Sequence, residues 1–173
     1  EIPEIPALEP FVYSPAKTLA QIPFPEADGG TWSWVNPEER PCVANAGYAA
    51  VYTPEENSAY AGYNAVIPLD VNPAQPEILN ATGSVLTYGQ RLKESHIEGK
   101  AFCDGIELEG GGFYWTEESR PPSAGNDGYE VLYVPEDQNN YETVRGTADI
   151  TVQKKNITVR VSDAERIYGD ENP

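Results

Sequence analysis

An internal repeat constrains the fold of this chain more than any other feature. When Trp34 is aligned with Trp115, residues 29–71 match residues 110–152 without a gap at an offset of 81. Twelve of these 43 positions are identical, and most of the identical residues are Gly, Pro, Tyr and Trp. Residues of these types form turns and fill cores, so the match indicates that each copy is one structural unit.

Two further matches place the boundaries of the repeats. Phe11–Tyr13 matches Leu86–Tyr88 at an offset of 75, so we expect about six extra residues in the second copy, within Cys103–Glu109. Arg166–Asp170 matches Leu86–Gln90 at an offset of 80 and marks a third start. The absence of Met fits an internal piece of a longer protein. The predicted organisation is a linker over 1–7, a first repeat over 8–75, a second repeat over 76–154 and the first strand of a truncated third repeat over 155–173.

The local pattern of each copy predicts strands. Trp32 and Trp34 lie two residues apart, which places them on one face of a strand, and Phe113 and Trp115 repeat this spacing. Only Pro15–Ala20 and Gln90–Ser95 are helix-like, and each allows only one or two turns. Short strands separated by Gly and Pro turns predict an all-β sandwich. Further strands are predicted over Tyr48–Tyr52, Tyr129–Tyr133, Thr147–Val152 and Ile157–Val161.

The charge of the chain excludes two classes of partner. The sequence has 28 acidic and 11 basic residues, a net charge of −17. Binding to phosphate needs clustered cationic side chains, so we expect no nucleic-acid partner and no docking on an anionic membrane surface. No apolar run reaches the roughly 18 residues of a spanning helix, so we expect no membrane insertion in this segment.

The sequence offers little for catalysis. His96 is the only histidine, and the first copy has no counterpart, so we expect a solvated loop residue. Nucleophilic catalysis of the triad type therefore lacks its usual base. Paired carboxylates can serve a glycosidase, but with 28 acidic residues their proximity carries no information. We expect no enzyme, no catalytic residue and no cofactor.

The two cysteines lie outside the shared framework. Cys42 aligns with Ser123, and Cys103 falls in the predicted insertion. Neither has the spacing of a zinc ligand set. Two separate thiols are the favoured interpretation, and a bridge between modules in an oxidising compartment is the alternative.

Calcium is the most serious metal hypothesis, because acidic and amide oxygens cluster near predicted loops and joints. Calcium takes six to eight oxygen ligands. No loop has the spacing of a dedicated calcium site, and acidic residues also form ordinary turns, so we assign no metal site. The residues concerned are Pro54–Asn57, Pro135–Asn140, Asp163 and Asp170–Asn172.

Aromatic side chains raise a sugar-binding hypothesis, because Trp and Tyr can stack on the faces of sugar rings. The candidates are Trp32, Trp34, Tyr63 and Tyr114. Trp34 recurs in the second copy, which favours a role in the core. Tyr63 and Tyr114 have no aromatic counterpart in the other copy and are the better candidates for exposed contacts.

Several of these motifs resemble a known family. The run Leu86–Gly99 resembles the opening strands of bacterial immunoglobulin-like surface repeats, and Tyr168–Asp170 is similar to the Tyr-Gly-x opening of adhesin repeats. The first copy departs from this pattern, with Tyr13-Ser14-Pro15 at the same place. The closing half of the family's repeat is matched by Trp115, Gly128, Tyr129, Tyr133, Pro135, Glu136, Asp137 and Tyr141.

The resemblance implies tandem immunoglobulin-like β-sandwich modules, with β-grasp-like modules as the alternative. It implies a non-catalytic stalk segment of a repetitive bacterial surface protein, secreted or attached to the cell wall, whose partners are the neighbouring repeats. The alternative function is that of an adhesin, a module that binds a host glycan or surface protein.

Overall fold

The computed structural model describes residues 2–161, and its secondary structure is nearly all β, which confirms the predicted all-β class. There are two single 3₁₀ turns among these residues. Leu92–Glu94 lies within the helix-like passage Gln90–Ser95, and Leu19–Gln21 overlaps the end of Pro15–Ala20 and extends one residue beyond it. The strands are β1 (Phe11–Val12), β2 (Gly30–Trp34), β3 (Tyr48–Pro54), β4 (Tyr63–Ile67), β5 (Val71–Asn72), β6 (Glu77–Thr87), β7 (Ile97–Cys103), β8 (Ile106–Glu107), β9 (Gly112–Trp115), β10 (Tyr129–Val134) and β11 (Val144–Gln153).

One predicted strand is wrong. Ile157–Val161 has no regular structure, and Ile157, Val159 and Val161 are largely exposed. A strand needs a neighbour to pair its backbone, and within residues 2–161 no strand lies beside this segment. The predicted third start at residues 166–170 lies outside the described residues.

Residues 8–75, here called the N-terminal half, contain two small sheets. Strands β2, β3 and β4 form an antiparallel sheet in that order, and β1 pairs with β5 in parallel. Trp32 lies opposite Tyr52 on the antiparallel sheet, and both side chains are buried with Ala50 and Ile67. A second cluster around Leu19 and Tyr48 fills the space under the first 3₁₀ turn.

Residues 76–154, here called the C-terminal half, contain one six-stranded sheet in the order β8-β7-β6-β11-β10-β9. The first long strand, β6, and the last, β11, lie side by side and run in parallel. The other pairs are antiparallel. One core cluster, which includes Leu92, Trp115, Val131 and Ile150, packs on this sheet.

The immunoglobulin-like sandwich is not confirmed. Such sandwiches are built from two packed antiparallel sheets, whereas the C-terminal half has a single mixed sheet with a parallel central pair. The equivalent strands of the N-terminal half, β1 and β5, also run in parallel. The predicted alternation of apolar residues is equally compatible with either arrangement.

The two halves share a set of side-chain hydrogen bonds at the repeated positions. Trp34 Nε1 donates to Ile22 O at 2.9 Å, and Trp115 Nε1 donates to Ser95 O at 3.0 Å. Each acceptor is the residue that follows a 3₁₀ turn, so the tryptophan fastens this turn to the sheet. Tryptophan suits this position because its ring packs in the core while the N–H at the edge of the ring donates to the turn.

A second shared set fixes the loop before β3 and before β10. Asn45 Nδ2 donates to Leu69 O, and Asn126 Nδ2 donates to Ile150 O, at 3.2 Å in both halves. Gly47 and Gly128 follow with φ values of 90° and 88°. A Cβ at Gly47 would lie only 2.8 Å from Ile67 O, so glycine is needed here for both its backbone angle and the close approach.

The halves differ in the segment before β2 and β9. The offset between them is 73 at the two 3₁₀ turns and 81 at the two tryptophans, so the C-terminal half is eight residues longer in this interval. The extra length forms the hairpin of β7 and β8. The predicted location of the extra residues, within Cys103–Glu109, is therefore too narrow. The N-terminal half has Pro23 and Pro25 there instead, which cannot donate to a sheet ladder.

Candidate interface between the two halves

A small buried cluster joins the two halves. Ala74, Cys103 and Tyr141 are buried together, and Tyr13 and Leu108 pack against them. We call these five residues the junction cluster. Tyr13 and Ala74 belong to the N-terminal half, and the other three come from the C-terminal half. Cys103 and Leu108 come from the end of β7 and the segment after β8, so the additional hairpin builds part of this interface.

An aromatic pair lies at the centre of the junction cluster. The rings of Tyr13 and Tyr141 meet edge to face, with centroids 5.1 Å apart and planes at 90°. This is a favoured geometry for two aromatic rings. Burial and the neighbouring Tyr13 phenol raise the pKa of Tyr141 well above its usual range. Tyr141 therefore stays neutral even at alkaline pH values at which an exposed tyrosine ionises.

Backbone pairing reinforces this contact. Ala74 N donates to Asn140 O at 2.9 Å, and Glu142 N donates to Ala74 O at 2.8 Å, so residue 74 pairs in parallel with Tyr141. Gln75 Nε2 donates to the Glu142 carboxylate at 2.7 Å. The predicted boundary between the repeats, at residues 75 and 76, is therefore held by hydrogen bonds on both sides of Tyr141.

Asn140 adds a second point of attachment. Its Oδ1 accepts a hydrogen bond of 2.9 Å from Val43 N, a residue 97 positions earlier in the chain. Its Nδ2 donates to Asp137 Oδ2 at 2.7 Å. Asp137 thus orients the amide that binds the N-terminal half, and this gives the loop Pro135–Asn140 a structural role that does not require a metal ion.

The calcium hypothesis gains no geometric support. Across residues 2–161, no three His, Cys, Asp or Glu side chains converge in a way that could hold a metal ion. Asp137 Oδ1 accepts from the backbone N–H of Asn139 and of Asn140, as in an ordinary acidic turn. Asp163 and Asp170–Asn172 lie outside the described residues.

The two cysteines are separate free thiols. Cys103 is buried in the junction cluster, and burial followed by the nearby Asp104 raises the pKa of its thiol. Cys42 Sγ donates to Ala44 O, as Ser123 Oγ donates to Gly125 O in the other half. Cys42 therefore replaces a serine in a shared turn, and Cys103 serves as an apolar side chain.

The four aromatic candidates have different environments. Trp32 is buried, and its Nε1 is without a hydrogen-bond partner among the residues described. Trp34 and Tyr63 are half-buried and pack with Trp32 in the core of the N-terminal half, so the expectation of an exposed contact at Tyr63 is wrong. Tyr114 is 54% exposed on β9, as expected, and lies in the other half.

One cavity does bring an aromatic candidate close to polar groups. It measures about 370 Å³ and lies between residues 3–7 and residues 25–28, with Trp32 and Tyr60 in its wall. Asp28 is a further lining residue, and its carboxylate accepts a hydrogen bond from Tyr60 at 3.2 Å. Phe113 is the counterpart of Trp32 in the C-terminal half, so the indole is specific to this site.

His96 is exposed, as expected. Its backbone N–H donates to Ser84 Oγ, and its carbonyl accepts from Ser84 N, so its place in the fold depends on the main chain. No nucleophile is paired with its ring within the part of the chain that is described.

Comparisons with protein-family models, with curated proteins and with solved structures found no significant match to this chain. No helix over residues 2–161 is long and apolar enough to cross a membrane. Among the described residues, the best-defined candidate site is the interface between the halves, because it combines a buried cluster with hydrogen bonds from both sides. The sequence identified Tyr141 as part of the family's closing half, but its contact with Tyr13 was not predicted, because Tyr13 lies in the other repeat.

Proposed function

We propose that this chain is a non-catalytic structural segment of a repetitive bacterial surface protein, in which tandem modules hold another domain away from the cell. The observation that carries the proposal is the junction cluster, since a spacer needs a fixed geometry between its modules. Tyr13, Ala74 and Tyr141 supply apolar contact there, and Asn140 supplies a directional hydrogen bond.

The tandem organisation is supported by the hydrogen bonds that recur at matched positions. The Trp34 and Trp115 bonds and the Asn45 and Asn126 bonds are equivalent in the two halves. Two unrelated domains would not place the same side chains on the same carbonyls. We therefore propose that 8–75 and 76–154 are copies of one module.

The arrangement of strands favours the β-grasp-like alternative for this module. In the C-terminal half the first and last long strands, β6 and β11, form the parallel centre of the sheet, and a hairpin partner flanks each of them. β1 and β5 retain the same parallel pairing over two residues in the N-terminal half. Pro10 directly precedes β1, and Pro3 and Pro6 lie in the preceding linker, so none of the three can extend this strand, since they lack the backbone N–H that a ladder requires.

An exposed location is supported by the charge of the chain. A net charge of −17 keeps the surface hydrated and opposes self-association. The resemblance to bacterial surface repeats supports the proposal that such a module lies outside the cell, either secreted or attached to the wall.

The experiment that tests the stalk proposal measures shape and binding together. Small-angle X-ray scattering of the chain should give a single fixed arrangement of the halves, and Asn140→Ala combined with Tyr141→Ala should broaden it. A screen against glycans and matrix proteins should remain negative. A flexible wild-type chain, or specific binding to a ligand in the screen, would overturn the proposal.

Adhesion is the second candidate function, because the cavity is lined by the indole of Trp32, which Phe113 replaces in the other half. Trp32→Phe copies the residue of the C-terminal half and is the matched variant. If a glycan binds to the wild-type chain and binding is lost in Trp32→Phe, the adhesion function replaces the stalk function.

A further inference from the structure

We propose that a second docking surface lies at the far end of the C-terminal half and receives a further module of the same kind. This surface, here called the Tyr88 face, consists of Tyr88, Ala124, Lys154 and Lys155. The inference rests on the proposed stalk function and names the partner, which is a module that follows residue 154 in the same chain.

The backbone at Tyr88 is held as it is at Tyr13. Tyr13 N donates to Asn72 O at 2.8 Å, and Tyr88 N donates to Gln153 O at 2.8 Å. Each bond extends a parallel pair of strands, β1 with β5 and β6 with β11. Tyr88 therefore projects from its half at the place from which Tyr13 reaches the junction cluster.

The side chains differ in what covers them. Tyr13 is half-buried against Tyr141, whereas Tyr88 is 60% exposed. Ala124 is the counterpart of Val43, whose N–H binds Asn140, and Ala124 is also exposed. Val43 and Ala124 lie in equivalent turns. Cys42 N donates to the hydroxyl of Tyr48, and Ser123 N donates to the hydroxyl of Tyr129 in the same way. The Tyr88 face thus repeats the positions of the first interface, and among residues 2–161 no side chain covers Tyr88 as Tyr141 covers Tyr13.

The following segment indicates that the partner is attached to this chain. Ile157, Val159 and Val161 alternate along the sequence and are 83%, 78% and 87% exposed. Alternating β-branched side chains are typical of a strand that buries one face in a core. At the offset of 80, residues 157–161 align with residues 77–81 at the start of β6, and Val161 aligns with Ala81, which packs in the core of the C-terminal half. Residues 157–161 therefore stand where the first strand of a third module would begin.

The proposed contact at the Tyr88 face, here called the second junction, differs in charge from the first junction, which is the contact at the junction cluster. Lys154 and Lys155 stand where Pro73 and Ala74 stand in the first junction, and Ala74 is 3% exposed there. A buried ammonium group requires a paired carboxylate. The surface that the C-terminal half presents at the first junction is acidic, with Glu107, Glu109, Glu136, Asp137 and Glu142. A like module would place these carboxylates against the two lysines, and salt would weaken that contact.

The test uses an extended chain in which residues 1–155 are followed by a second copy of residues 75–154, and in this second copy the tyrosine equivalent to Tyr88 is replaced by phenylalanine so that one Tyr88 remains. Tyr88 should react with tetranitromethane about tenfold more slowly than in the 173-residue chain, which corresponds to about 1.4 kcal/mol of docking free energy. The protection should decrease at high salt. Tyr114, which is exposed on β9, is the internal control and should react equally in both chains.

Two variants of the extended chain complete the test. Lys154→Glu with Lys155→Glu should remove the protection of Tyr88, since acidic side chains would then face acidic side chains. Lys154→Pro with Lys155→Ala restores the residues of the first junction and should protect Tyr88 independently of salt. This second variant keeps the test decisive if the first version of the extended chain does not fold.

Equal reactivity of Tyr88 in the 173-residue chain, the extended chain and the Pro-Ala variant would overturn the docking proposal. The stalk function would survive that result as long as scattering shows a fixed contact between Tyr13 and Tyr141. Protection of Tyr88 in the 173-residue chain that rises with protein concentration would instead identify a second copy as the occupant and would also overturn the proposal.

Discussion

The C-terminal half builds one continuous sheet from six strands, whereas the N-terminal half divides the equivalent strands between two small sheets. Both halves nevertheless keep the same tryptophan and asparagine hydrogen bonds. The comparison teaches that the shared residues fix the turns and the core, while the remaining sequence sets the length of the strands. The long hairpin of the C-terminal half is used at the interface, where it supplies Cys103 to the junction cluster.

Substitution of the two shared tryptophans is expected to give the largest difference in the free energy of unfolding between the two halves. Trp115 is 6% exposed and Trp34 is half-buried. Trp115→Ala should lower the free energy of unfolding by about 3–5 kcal/mol, and Trp34→Ala should lower it by less. Urea unfolding followed by circular dichroism measures both, with Tyr114→Ala as the exposed control. A larger loss at Trp34 would show that the N-terminal half depends more on this residue than its burial indicates.

Substitution of the two cysteines should give the second-largest difference in the free energy of unfolding. Cys103→Ser places a hydroxyl in the junction cluster and should lower the free energy of unfolding by about 1–3 kcal/mol. Cys42→Ser reproduces the serine that Ser123 contributes to the same turn, so its effect should stay within about 0.5 kcal/mol. Thermal unfolding of both variants under reducing conditions measures the difference. Equal losses would argue against a buried role for Cys103 at the interface.

The shared asparagines should respond alike. Asn45→Ala and Asn126→Ala each remove one amide that binds two carbonyls, so each should cost about 1–2 kcal/mol. Chemical unfolding of the two variants should agree within about 0.5 kcal/mol. A clear disagreement would mean that the two loops are not equivalent in spite of their matching hydrogen bonds.

The smallest expected effect concerns pH. Because folding raises the pKa of Tyr141, the stabilisation is complete below its unfolded pKa of about 10 and is lost as the pH rises above that value. Tyr141→Phe should reduce the fall in stability between about pH 9 and 11. Burial also raises the pKa of Tyr133, so the measurement is the difference between wild type and variant. An unchanged alkaline slope would place Tyr141 in solvent.

The sequence predicted the features that depend on local pattern. Strands β3 and β10 were predicted from apolar runs between Gly and Pro, and Tyr114 was predicted to be exposed because its counterpart is a serine. The fold class followed from the same patterns, since periodicity depends only on neighbouring residues.

The sequence did not predict which strands pair or which residues cross between the halves. The parallel contact of β6 with β11 joins residues about 70 positions apart, and alternation along a strand does not specify its neighbour. The Val43–Asn140 hydrogen bond depends on how the halves meet, and Asn140 has an alanine as its counterpart. Non-repeated residues of this kind were invisible to an argument based on the repeat.

The central claim is that a buried aromatic contact couples the two halves, and a double-mutant cycle on Tyr13 and Tyr141 tests it most directly. The free energy of unfolding is measured for the wild type, Tyr13→Ala, Tyr141→Ala and the double variant. The edge-to-face pair predicts a coupling of about 0.5–1.5 kcal/mol between them. Losses that add within about 0.3 kcal/mol would contradict the claim and would mean that the halves are stabilised independently.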